Sequence, residues 1–161
     1  MFKQMRRKDR EITDRSEIMK VIKECEIVRY GLKDGDGIYI VPMHYGIGGT
    51  EEAPVLYSHC AAEGHKIDLI RESDYAAFEI DGNIELQTAD VACGYSSTYS
   101  SVIGEGRISL AEDNEEKMQA LQALMEHYTG ESNWEIPEQM LGRISIIRLE
   151  ITDMTCKANE G

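Results

Sequence analysis

Basic residues are scarce in this sequence: 17 Lys and Arg stand against 30 Asp and Glu among 161 residues, a formal charge of −13. That balance excludes the broad electrostatic attraction by which proteins hold nucleic acid or an anionic lipid surface. No apolar run approaches the ~18 to 20 residues that span a bilayer, so no membrane span is expected. The basic start, residues 1–10, leads into no apolar stretch of the secretory kind, and the expectation is a cytoplasmic protein. Cys25, Cys60, Cys93 and Cys156 form no C-x-x-C pair and read as reduced structural thiols. His59 and His65 are six apart, no H-E-x-x-H occurs, and no metal site is expected. Neither an internal repeat nor a low-complexity tract interrupts the chain, whose length suits one domain over 1–161.

The charge that is present is uneven. Residues 1–30 hold nine basic and six acidic side chains, whereas the rest hold eight and twenty-four. Residues 1–10 read as a loose tail. Asp14 and Glu17 then stand at capping-box spacing before Ile18, Val21, Ile22 and Cys25, which predicts an amphipathic helix over 14–25. Two Asp-Gly pairs between the β-rich runs 27–32 and 38–45 predict a hairpin. Pro42, unable to donate to a ladder, marks the second run as an edge or a bulge. A Gly-rich turn at 46–50 leads to strands predicted at 55–60, 75–81, 84–88, 99–110 and 144–151, with a short helix around Ile67 and Ile70. Gly104 and Gly106 inside a strand suggest a bulge or a close backbone approach. Asp113 and Glu116 open a second amphipathic helix that ends at Gly130, and residues 137–141 add a helical turn. Six or seven strands with hairpin turns and no strand–helix alternation point to a mainly β, α+β chain: a small antiparallel barrel with peripheral helices.

Three stretches have the composition of a binding site. Ser58-His59-Cys60-Ala61-Ala62-Glu63-Gly64-His65-Lys66 runs from a strand into a helix start. Small residues there let a ligand approach the backbone, free N–H groups attract anions, and Lys66 suits phosphate. Alternatively, His65 and Lys66 are only the wet face of a helix opening, and His59 satisfies a core hydrogen bond. Tyr39-Ile40-Val41-Pro42-Met43-His44-Tyr45 offers an edge against which a planar heterocycle fits, or a plain β-edge. Tyr99-Ser100-Ser101-Val102-Ile103-Gly104-Glu105-Gly106 sets hydroxyls and glycines on a strand, again with an ordinary reading.

In this order, these stretches resemble the 5-nitroimidazole-resistance (Nim-type) proteins, a branch of the pyridoxamine 5′-phosphate oxidase-like flavin-binding split barrels. Met5-Arg6-Arg7-Lys8, Tyr39-Ile40-Val41-Pro42, Leu56-Tyr57-Ser58-His59 running into Glu63-Gly64-His65-Lys66, Tyr99-x-Ser101-Val102 and His127-Tyr128-Thr129-Gly130 carry the resemblance, which spans roughly residues 5 to 157. It implies a split β-barrel and a flavin cofactor, FMN or the bulkier FAD. Val41, Pro42 and Met43 would lie along the flavin ring. Ser58, His59, His65 and Lys66 would hold its phosphate, while Ser101 and Val102 would reach it across a homodimer interface. His59 is the candidate catalytic side chain. The implied function is a flavin-dependent oxidoreductase passing electrons to a small planar acceptor, a nitroaromatic in this family. The alternative is a non-catalytic dimeric binder of flavin or haem. His65-Lys66 replaces the Arg-Lys common in related oxidases, and Cys156 stands where relatives commonly have Gly in a Thr-Gly-Lys ending.

Overall fold

The structure, a computed structural model, describes residues 4–161. Helix α1 (Arg15–Glu24) starts where the capping pattern places it, the Asp14 carboxylate accepting from the Ser16 and Glu17 amides. Strands β2 (Ile27–Asp34) and β3 (Gly37–His44) form the expected hairpin. Asp34 pairs with Gly37, and Gly35 takes the left-handed conformation that the two-residue turn requires. Helix α2 covers His65–Glu72 and α3 covers Asn114–Thr129, the latter closed by left-handed Gly130.

Several elements differ from the sequence expectation. The Gly-rich stretch after Tyr45 is a strand, β4 (Gly46–Gly49), paired with β5 (Pro54–Ala61). Strand propensity is low there, but Gly46 is needed, because a Cβ would lie 2.4 Å from the Leu124 amide nitrogen on α3. The two runs at 75–81 and 84–88 are one strand, β6 (Tyr75–Gln87), which carries an irregularity between Gly82 and Glu85 where Asn83 adopts positive φ. Strand β7 spans Ser96–Ala111, and β8 runs over Ile144–Asn159, eight residues past its expected end. The residues taken for a tail include a 3-10 turn (Lys8–Arg10) and lead into β1 (Glu11–Ile12), which pairs with β8. Residues 1–3 lie outside the described residues. The expected turn after Pro137 is a 3-10 segment, Glu138–Arg143.

The strands form one antiparallel sheet in the order β3-β2-β6-β7-β8-β5-β4, with β1 added to β8. The sheet curls without closing: β3 lies beside β5 but makes no ladder with it. This is a split barrel. The curl encloses a core of Ile22, Val28, Tyr30, Phe78, Ile80 and Leu149, closed by α1 and α2, while Val55, Tyr57 and Ile146 pack on the opposite face under α3. Curvature is concentrated in the long β7–β8 pair. There Glu105 pairs with Asp153 but Gly106 with Ile151, leaving Thr152 as an extra residue.

The turn from β3 to β4 is held by α3 and α1. Tyr45 donates its N–H to the Tyr128 hydroxyl (3.3 Å), and its carbonyl lies 2.6 Å from His127 Nδ1. Its buried hydroxyl shares one proton between the Ile22 and Cys25 carbonyls (2.5 and 2.8 Å) at the C-terminal end of α1. The Tyr128 hydroxyl in turn donates to the Glu26 carbonyl.

Replacing Gly106 probes the bend, since a Cβ there would meet the Glu150 carbonyl oxygen at 2.0 Å. Backbone cannot move aside as a flexible side chain does. Gly106→Ala is expected to cost about 3 kcal/mol, seen as a lower urea midpoint at unchanged slope.

Candidate functional site

Among the described residues β3 pairs only with β2, so its other backbone edge has no ladder partner there. Pro42 stands on this edge strand, opposite Arg29, as its missing N–H requires. Side chains alternate in β3. Val41 is buried in the core and Met43 packs against it, whereas Ile38 and Ile40 are 77% and 66% exposed beside Pro42 on the outer face. The strand thus presents an apolar outer surface.

The same alternation separates Ser58 from His59. Ser58 is fully buried inside the curl, its Oγ 2.9 Å from the Tyr30 hydroxyl. His59 faces the other side of β5, opposite Ile146, and is exposed. Among the described residues it has no hydrogen-bond partner, so it does not fill the core role that the ordinary reading gave it. Burial drives the Tyr30 phenol above its usual range, and the Ser58 contact only partly opposes this.

Beyond β5 the chain turns into α2 through Gly64, whose φ of 148° no L side chain adopts readily. No side chain caps this helix, and a Cβ at Gly64 would meet nothing within 4 Å. The first amides of α2 are therefore open at its dipole-positive end. Lys66 stands there. It draws the neighbouring Cys60 thiol down, although burial pushes that thiol up by more. His65 lies between the two arms of the β2–β3 hairpin. Its Nε2 is 2.8 Å from Asp34 Oδ2, and its ring meets Tyr39 edge-on at 5.1 Å between centroids. One histidine thus ties the start of β3 to the start of α2, a contact invisible in the sequence because Asp34 and His65 are 31 positions apart.

Ser101 and Val102 lie elsewhere. Val102 is buried and pairs with Ile80, which also pairs with Val28. Ser101 is on the outer face between Asp81 and Lys157. Along β2, Val28 and Asp34 are six residues apart, about 20 Å. Within one chain, then, Ser101 and Lys66 belong to opposite ends of the hairpin. A hollow of about 480 Å³ between α1, β4 and α3 contains none of the expected site residues.

These features match a known family. The family model for pyridoxamine 5′-phosphate oxidase matches residues 14–158. The chain belongs to that family. A candidate 5-nitroimidazole antibiotic resistance protein from Bacteroides thetaiotaomicron shares 26% identity, with 93% of this chain and 90% of that one covered at a TM-score of 0.77. A FAD- and haem-binding protein from Mycobacterium smegmatis (18% identity, 94% and 74% covered, TM-score 0.78) shares the fold. So does a flavocytochrome from Azotobacter vinelandii (15% identity, 98% and 73% covered, TM-score 0.79). No curated protein sequence matches the chain. The open start of α2, with Lys66 beside it, fits the phosphate of the flavin that the family fold implies.

All four thiols are free, and their surroundings differ. Burial pushes Cys25 and Cys156 up to about 11, while Cys93 is exposed. At pH 8, a disulfide reagent is expected to label Cys93 about a hundredfold faster than Cys25 or Cys156, and Cys93→Ser to abolish the fast phase.

Proposed function

We propose that the chain is a flavin-dependent oxidoreductase similar to the 5-nitroimidazole-resistance proteins, passing electrons from reduced FMN or FAD to a small planar acceptor. One observation carries this reading: His65 joins an uncapped, lysine-bearing helix start to the edge strand that offers an apolar surface. The two kinds of surface that a flavin needs, cationic for its tail and apolar for its ring, are joined through β3, His65 meeting it on the Tyr39 side while Ile38 and Ile40 lie on the other. Family membership and the 26% identical neighbour point the same way.

A bound flavin supplies the redox chemistry; the residues bind and orient it. Lys66 and the first amides of α2 hold the phosphate. With Asp34 at 2.8 Å, His65 acts chiefly as a strut between hairpin and helix and contributes less to the anion. Pro42 and the backbone beside it carry the ring. Val41, Ser58 and Val102 are buried, so they support the site by packing and, for Ser58, through Tyr30. His59 is available to give a proton from a ring nitrogen to the reduced acceptor. Ser101, at the far end of the hairpin and packed over Val102, completes the site of a second copy in a homodimer.

The test starts with flavin titration followed by fluorescence. Lys66→Ala is expected to raise the flavin Kd about tenfold or more. Asp34→Asn removes a carboxylate beside the seat and is expected to lower it about threefold. Anaerobic stopped-flow then follows reoxidation of the bound, reduced cofactor by a nitroaromatic. Wild type is expected to react faster than free reduced flavin, and His59→Gln to slow this step at unchanged flavin affinity. Binding without acceleration supports a non-catalytic flavin holder instead, and no binding refutes the proposal.

A further inference from the structure

A second group of cations gathers on the outer face of β7 and β8, at the other end of the hairpin from Lys66. Arg10 donates from Nη1 to the Tyr99 hydroxyl (3.1 Å), and its guanidinium carbon is 5.8 Å from the centre of that ring. The Lys157 ammonium lies 5.6 Å from the same centre. Ser101 is two residues from Tyr99 on β7 and directly opposite Lys157 on β8, which puts the three side chains on one face. All four residues are partly buried.

Of the acids nearby, Asp81 and Asp9 are engaged by other arginines, whereas Glu11 and Glu160 make no ion pair among the described residues. Glu11 pairs with Lys157 across β1 and β8, yet makes no ion pair with it among the described residues. Asp81, opposite Ser101 on β6, is held by Arg29 at 2.8 Å. Asp9 is taken by Arg7 at 2.6 Å. Among the described residues, neither Arg10 nor Lys157 makes a contact ion pair with a carboxylate, although the charge of Arg10 is felt at Asp9, in a chain of formal charge −13. A hollow of about 440 Å³ beside Arg10 is walled by Arg7 and Arg10 together with Asp9, Glu11 and Glu160, and Tyr99, Ser101 and Lys157 lie outside its wall. Partial burial opposes ionisation of the Tyr99 phenol, but hydrogen bonds and charge from Arg10 and Lys157 bring it below the ordinary tyrosine range, a sign of net positive potential at the ring.

We infer that Arg10, Tyr99, Ser101 and Lys157 form a phosphate-binding site distinct from the one at the start of α2. A guanidinium fork, an ammonium and two hydroxyls gathered about Tyr99 are the donors that suit the oxygens of a phosphate group. Two sources have this chemistry: a free phosphorylated small molecule, or the tail of a flavin held by a second copy. The inference does not rest on the chain's own flavin site.

The test observes Tyr99 directly. In protein with carbon-13-labelled tyrosine rings, the Tyr99 signals are those missing from Tyr99→Phe. Titration with inorganic pyrophosphate is expected to shift them saturably, and the Arg10→Gln, Lys157→Gln double variant to raise the Kd for this shift about tenfold or more. Wild-type Tyr99 signals that stay in place overturn the site, as does an equal Kd in the double variant. The first result holds even if the double variant fails to fold. Lys66→Ala is expected to leave the Kd read at Tyr99 within about twofold of wild type, because the two groups belong to opposite ends of the hairpin. Prior saturation with FMN separates the sources. Loss of the pyrophosphate shift identifies the flavin tail as occupant, and its persistence identifies a separate phosphorylated ligand.

Discussion

Between His44 and Gly46 the chain leaves the β2 ladder and enters the β5 ladder, and Tyr45 is the residue on which this change of partner turns. Any residue at such a junction has backbone groups that neither ladder satisfies. Here α3 satisfies them, Tyr128 accepting from the Tyr45 amide and His127 meeting its carbonyl. The Tyr45 hydroxyl does the same for the frayed end of α1. Three elements are thus pinned at one buried phenol, and the consequence is that β3 and β5 lie side by side without pairing. An open seam results, and the candidate ring-binding edge, Pro42 included, is one lip of it.

Anion recognition by so acidic a chain depends on local arrangement. At physiological salt the screening length is about 8 Å, so distant carboxylates weigh little against contacts within a site. What decides is which cations lack an acid at contact distance. Arg29 faces Glu79 and Asp81 at 3.0 and 2.8 Å, and Arg148 faces Glu116 and Glu150, so these serve the sheet. Lys66, Arg10 and Lys157 do not appear in such pairs among the described residues.

Much of this was legible in the sequence. Asp14 and Asp113 announced their helices because capping is local chemistry, and the Asp-Gly pairs announced the hairpin for the same reason. Pro42 and Gly106 pointed to an edge and a bend because each has a backbone property no other residue shares. Strand β4 was hidden because its glycines are chosen by the close approach of α3, a tertiary demand that overrides propensity. The far half of β8 was hidden by its bulge, since an extra residue at Thr152 shifts the alternation on which strand reading depends. For the site, the residues of one lobe could be named, but that Ser58 and His59 face opposite sides follows from strand geometry and received no weight. His65 seemed a phosphate ligand, and only the fold shows that Asp34 and Tyr39 claim it. Arg10 and Lys157 needed the pairing of β1 with β8 to meet, and Tyr99 that of β7 with β8.

The division of cations between the two ends of the hairpin bears on how a site could be completed. In the proposed reading, a ligand gripped at Lys66 would run along the free edge of β3 toward Pro42, on a strand whose outer apolar side chains, Ile38 and Ile40, remain exposed in one chain. Exposed isoleucines on an unpaired edge strand are unfavourable in water and invite covering. If a second copy covers them with its outer β7–β8 face, its Ser101 and Lys157 come toward the first copy's ligand, although they belong to the opposite end of the hairpin from that chain's own Lys66. Two-fold symmetry then makes the arrangement reciprocal, so that each chain is both the seat of one ligand and the lid of another. Such a site would be built from two incomplete halves, and neither lobe alone would need enough positive charge to hold the anion against the chain's net negative charge.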